Sequence, residues 1–122
     1  MPIFKARPFS EYSRCLEIVK FNYTEISRRY DEIKNHLDIN HIKQKDLTGL
    51  KTLSKALLRC NSFLIKSYNN VEHMYEYYSP EEKVVIDEYH DLEKNLIKLT
   101  NDIDAYHKTM QDSLSSETSL DI

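Results

Sequence analysis

Apolar residues recur at alternating intervals of three and four in three separate segments of this chain. The first runs Phe9, Tyr12, Leu16, Val19, Tyr23, Ile26, Tyr30, Ile33, Leu37. The second runs Leu50, Leu53, Leu57, Cys60, Leu64, Ser67, Val71, Met74, Tyr78, with Ser67 its one polar member. The third runs Val85, Tyr89, Leu92, Leu96, Leu99, Ile103, Tyr106, Met110. A strand would need a period of two, whereas a mean spacing of 3.5 places each set on one stripe of a helix. The fold class expected is therefore all-α, with heptad, coiled-coil-like packing.

The rest of the composition narrows the choice. At 122 residues the chain is one domain with a single core. It has one glycine, Gly49, and three prolines, Pro2, Pro8 and Pro80, too few turn residues for a sheet protein. Gly49 has no glycine partner, which excludes the Gly-rich phosphate-cradling loops. The longest apolar runs are triplets such as Phe63-Leu64-Ile65, far below the roughly 20 residues that cross a bilayer. The opening "MPIFKARPFSEY" lacks the apolar core of a secretory signal, so a cytoplasmic or nuclear location is expected.

Helix boundaries follow from capping chemistry. Pro8 suits a first helical turn, and Asp46 or Thr48 suits a cap before the second stripe. Ser79-Pro80-Glu81-Glu82 reads as a capping box with proline at the first helical position. These signals predict helices over about 8–37, 47–78 and 80–110, and a polar, serine-rich, disordered tail over 111–122. A tail ending Leu120-Asp121-Ile122 would suit a carboxylate-capturing groove on a partner. Short connections make consecutive helices antiparallel, so the expected architecture is an elongated three-helix bundle. With the first corner centred near Ile42, Cys15 and Cys60 would stand about 13 Å apart along its axis, beyond disulfide reach. The arrangement is similar to that of spectrin-like repeats and of the N-terminal three-helix domains of syntaxin-type proteins, a likeness of architecture that names no partner.

The densest group of candidate catalytic side chains is "IDEYHDLEK", residues 86–94. With Val85, Tyr89 and Leu92 on the seam, Asp87, His90 and Asp91 share the opposite, hydrated face. Water there leaves little desolvation to shift a catalytic pKa and no outer shell to orient metal ligands. Glu32, His36 and His41 form no stronger set, and Asp104 with His107 reads as a surface pair. Neither cysteine sits in a CxxC, and no core-facing Glu-x-x-His pair occurs. The chain is expected to be no enzyme, with no metal and no cofactor.

What remains is surface for a partner. Ile18 and Phe21 fall outside the first stripe, and Leu58, Ile65, Tyr68 and Tyr75 form a second stripe on helix 2, with Ile86 and Ile97 a thinner one on helix 3. Widening of helix 2 to touch both neighbours is one reading of its stripe, and a docking face is the other. Ile3 and Phe4 would cover Ile18 and Phe21 if the N-terminal segment folded back. Tyr75, Tyr77 and Tyr78 cluster at the second corner as a further contact patch. Charge is divided: residues 1–66 hold 13 Lys or Arg against 7 Asp or Glu, and residues 67–122 hold 4 against 13, giving +6 and −9. The expected function is that of a non-enzymatic helical interaction module. It would be an adaptor or subunit of a multiprotein assembly, such as a trafficking, tethering or scaffold complex, that binds another protein through helix–helix contacts or pairs with a second copy. The alternative is a basic face, Arg28, Arg29, Lys43, Lys45, Lys51, Lys55 and Arg59, for anionic lipid or nucleic acid, with nucleic acid ranked below protein.

Overall fold

The computed structural model describes residues 3–120, with side chains over 5–115. Three helices, α1 (Ile3–His36), α2 (Gln44–Glu72) and α3 (Pro80–Leu120), form the expected bundle, with short 3-10 turns at Ile39–His41 and Tyr75–Tyr77. Cross-helix contacts set the directions. Cys15 lies against the Phe63 carbonyl and Ile33 against Gly49, so α1 and α2 are antiparallel. Tyr68 meets Tyr89 and Ser54 meets Asp104, so α2 and α3 are antiparallel too. Tyr12 reaches residues 85 and 86 while Tyr30 reaches Asp102, which leaves α1 parallel to α3. Most of the helix contact runs through α2, and the α1–α3 seam is thinner.

The three stripes form the core. Tyr12, Leu16, Val19, Leu50, Leu57, Leu64, Val71, Leu96 and Ile103 are almost completely buried, because the 3.5-residue period returns each to the shared seam. Ile86 joins them at 0% exposure, so it is core rather than part of an outer stripe. The reason is a third neighbour: the Tyr12 hydroxyl crosses from α1 and donates to the carbonyls of Val85 and Ile86 at 3.0 and 2.9 Å, drawing that face of α3 inward. Tyr68 stacks on Tyr89 with ring centroids 3.8 Å apart, and Tyr12 abuts Tyr68 at 6.3 Å, so one tyrosine from each helix meets at this level.

The helix ends differ from the sequence boundaries for identifiable reasons. α1 starts at Ile3, not near residue 8, so Pro8 stands inside the helix. The extra turn is fastened to the second corner: Lys5 Nζ donates to the Tyr77 carbonyl at 2.6 Å, and the Tyr78 hydroxyl donates to the Lys5 carbonyl at 3.0 Å. A helical backbone from Ile3 onward leads away from Ile18 and Phe21 instead of folding back over them, and the side chains of Ile3 and Phe4 lie outside the described residues. α2 begins at Gln44, three residues before the expected start, because Asp46 acts from inside the first turn: its carboxylate accepts the Lys43 N–H at 3.1 Å. α2 ends at Glu72, and a 3-10 turn then brings Tyr78 in over Phe9, ring centroids 5.5 Å apart. That turn dissolves the expected tyrosine patch: Tyr78 is core, Tyr75 is half-buried and bonds Asp87, and Tyr77 alone faces out. The Ser79 capping box forms as expected, with Ser79 N–H donating to Glu82 at 2.8 Å and Glu82 N–H to Ser79 Oγ at 3.1 Å.

The segment expected as a disordered tail continues α3 as far as Leu120. Leu114 is one turn beyond Met110 and packs with it against Ile42 and Leu47, a small second core that closes the first corner. That corner core is invisible along any one helix, since Ile42 comes from the connection and Leu47 from the α2 start. Asp121 and Ile122, with the terminal carboxylate reading, lie outside the described residues.

Two stability measurements check this packing. Tyr12→Phe keeps the ring and removes the hydroxyl bonded to α3, and the carbonyls it leaves belong to a helix. We expect a loss of about 0.5–1.5 kcal/mol in urea unfolding. At Gly49 an added Cβ would come 3.4 Å from the Ile33 terminal methyl, an ordinary contact. Gly49→Ala should therefore stabilise by about 0.5–1 kcal/mol through helix propensity, and a loss would mean that α1 and α2 cannot part by a few tenths of an ångström there.

Candidate partner-binding groove

The "IDEYHDLEK" stretch begins one and a half turns into α3, with Ile86, Tyr89 and Leu92 inward and Asp87, His90 and Asp91 exposed. Its polar groups tie helices together. Asp87 accepts the Tyr75 hydroxyl from the second corner at 2.9 Å and Glu88 receives Lys20 Nζ from α1 at 2.6 Å, while Glu93 accepts the Tyr89 hydroxyl within α3. The His90 ring packs edge-on against Tyr68 and Tyr89. Asp104 accepts the buried Ser54 hydroxyl at 2.5 Å rather than pairing with His107, and Glu32 pairs with Arg28. Among the described residues no three His, Cys, Asp or Glu side chains are grouped to hold a metal ion.

The residues chosen as partner contacts divide between two sides of α2. Tyr68 packs against the core, as a central α2 with a widened apolar arc requires, and Tyr75 does so from the 3-10 turn beyond α2. Leu58 follows Ser54, the partner of Asp104, by one turn, and Ile65 precedes Tyr68 by three residues, so both lie on the α3 side of α2. Ile18 and Phe21 stand on the opposite side, in a groove between α1 and α2. Sequence reasoning missed their third companion, Phe63, whose signal is its place one turn from Cys60 and Ser67 yet off the stripe. Phe21, Phe63 and Ile18 are 67%, 56% and 46% exposed, large values for apolar side chains.

This groove is built from turns that face each other. One stretch holds about 350 Å³ between Arg14, Cys15 and Ile18 of α1 and Phe63, Lys66 and Ser67 of α2. The next holds about 520 Å³ between Phe21, Ile26 and Arg29 of α1 and Leu53, Ala56, Arg59 and Cys60 of α2. Ile18 to Phe21 and Phe63 to Cys60 are each three residues, so the stretches abut. Small side chains at Ala56, Cys60 and Ser67 keep the floor low, and Ile18, Phe21 and Phe63 rise from its walls. From Arg14 to Arg29 the groove spans about 22 Å of helix axis.

The basic residues are spread over α1, α2 and the first corner, with Lys51, Lys55 and Arg59 one turn apart along one side of α2. Arg29 and Arg59 flank the α1–α2 groove, whereas Lys51 and Lys55 line a separate depression with His107 of α3. Arg28 is held by Glu25 and Glu32 of its own helix. Lys43 and Lys45 stand at the first corner, where α2 begins. Among the described residues the one ion pair between helices is Lys20 with Glu88, so the acidic α3 leaves the cations of α1 and α2 largely unpaired. No helix among the described residues is long and apolar enough to cross a membrane.

Comparison with protein-family models, curated proteins and solved structures yields no match to this chain.

Both thiols lie beside this groove, and the register brings them closer than a corner centred on Ile42 would. Cys15 Sγ is 3.7 Å from the Phe63 carbonyl oxygen, one turn from Cys60, because α1 is shifted along α2 relative to that corner. Burial pushes the Cys15 thiol above its ordinary range, against a smaller opposing effect of Ser67; burial, then the neighbouring Cys15, does the same to Cys60. A raised pKa means less thiolate at neutral pH. Alkylation by iodoacetamide at pH 7.5 should run at least several-fold slower than in urea, with a rate still climbing at pH values where a free thiol has levelled off. Equal native and denatured rates would contradict this burial.

Proposed function

We propose that this chain is a non-enzymatic helical interaction module, an adaptor or assembly subunit that receives an amphipathic helix in the α1–α2 groove. The supporting observation is that Ile18, Phe21 and Phe63 stand exposed on the walls of an apolar groove, while the three heptad stripes are spent on the core. A helix laid there would bury these three side chains at once and present its own apolar stripe to Ala56 and Cys60, the usual arrangement of helix-in-groove recognition. Such an interface draws most of its energy from a few central, well-packed side chains, and the two phenylalanines meet that description. Arg28 is held by Glu25 and Glu32, and Lys43 and Lys45 stand at the first corner, which weakens the reading of all seven cations as one surface for lipid or nucleic acid.

The test is co-purification from native cells with three forms of the chain: wild type, Phe21→Glu with Phe63→Glu, and Ile65→Glu. Each altered side chain is exposed, so helicity by circular dichroism and the unfolding midpoint should match wild type. The partner retained by wild type should be lost from the double variant, at least about tenfold weaker, and retained by Ile65→Glu, which alters the opposite side of α2. Loss with Ile65→Glu and retention by the double variant would move the docking face to the α3 side. Retention by all three would overturn helix docking on either side.

A further inference from the structure

We propose that the helix this groove receives is acidic, with carboxylates along both edges of its apolar stripe; the inference rests on the helix-docking reading and specifies its partner. Four cations line the groove: Arg14 and Lys66 at one stretch, Arg29 and Arg59 at the next. Each stretch thus has one cation from α1 and one from α2, so positive charge stands on both walls. All four are exposed and none has an ion-pair partner among the described residues.

The acids that share the groove do not answer them. Glu11 is bound by Arg7 one turn earlier at 3.0 Å, and Glu25 is bound by Arg28 at 3.0 Å. Net positive charge is therefore left unneutralised around an apolar floor. A partner that covered the floor with neutral or basic edges would desolvate these cations and return nothing for it, whereas carboxylates at the rim would meet them as the apolar stripe seats. The spacing sets the length of the occupant. Arg14 and Arg29 are about 22 Å apart along α1, so a helix of roughly 15 residues would meet the cations of both stretches. The same charges argue against symmetric pairing of two copies through this face, since the self-complementary contact of a two-fold dimer would bring basic walls together.

A display library of helical 18-residue peptides tests the inference. All carry one Leu stripe, and the positions flanking it vary among Glu, Lys, Gln and Ala. Selection on the wild-type chain should enrich Glu on both flanks, with a Glu-flanked peptide bound at least about tenfold more tightly than its Lys-flanked counterpart in 50 mM salt and the preference shrinking at 500 mM. The variant with Arg14, Arg29, Arg59 and Lys66 all changed to Glu should reverse the preference, and the corresponding Gln variant should abolish it, both with wild-type helicity. Phe21→Glu with Phe63→Glu should bind no peptide of any charge. Enrichment of Leu-stripe peptides with neutral or basic flanks would overturn the acidic partner and leave helix docking standing. Enrichment of no helix at all would overturn both. Two further outcomes would count against an acidic helix. One is binding to phosphatidylserine vesicles, lost in the Gln variant, without a preference for Glu-flanked peptides. The other is a wild-type dimer by light scattering that the Gln variant strengthens.

Discussion

The whole arrangement depends on α2 having to bury apolar surface on two sides at once. α1 and α3 each send one stripe inward, and α2 lies between them and answers both. Its α3 side carries Ser54, Leu57, Leu64 and Tyr68, and its α1 side carries Leu53, Cys60 and Ser67. Had α2 served one neighbour only, Tyr68 would be free for a partner; in the bundle it lies flat on Tyr89 and edges against Tyr12. The three-tyrosine level and the Tyr12 hydroxyl bonds to α3 follow from that central position, because only there can side chains from all three helices converge.

The same constraint leaves a gap. Several residues of α2 that turn toward α1 are small, Ala56, Cys60 and Ser67, and do not fill the outer groove, while Ile18, Phe21 and Phe63 remain exposed on its rim. The polar groups of α3 take the other course. Asp87 and Glu88 of the stretch densest in carboxylates, and Asp104 further along, each bind a side chain from outside their own helix and so fasten the bundle. Surface charge follows from the same layout, because among the described residues the acidic α3 forms an ion pair with α1 only through Glu88 and leaves the cations around the α1–α2 groove without one.

Several features are legible along the chain itself because they are local. Each stripe is a one-dimensional pattern, and a 3.5-residue period has one geometric meaning wherever the helix lies. The Ser79 capping box needs only four consecutive residues, and the hydrated face of Asp87, His90 and Asp91 follows from their spacing relative to Tyr89. The placement of Ile18 and Phe21 outside the core is legible for the same reason.

Other features join residues far apart in the chain, and no local pattern carries them. The turn before Pro8 exists because Lys5 meets Tyr77 and Tyr78, and helix continues past Met110 because Leu114 meets Ile42 and Leu47. Ile86 is core because Tyr12 crosses to its helix, and Phe63 gains meaning only from Ile18 and Phe21 on the facing helix. The offset between α1 and α2, which brings Cys15 near Cys60, is set by how side chains interlock across the seam, and no spacing within one helix encodes it. Three helices, and the stripe that each would bury, were thus written into the order of residues, since periodicity is a property of a single helix. Which helix is central, which outer face stays open and what charge surrounds it came from packing, because each is a relation between helices.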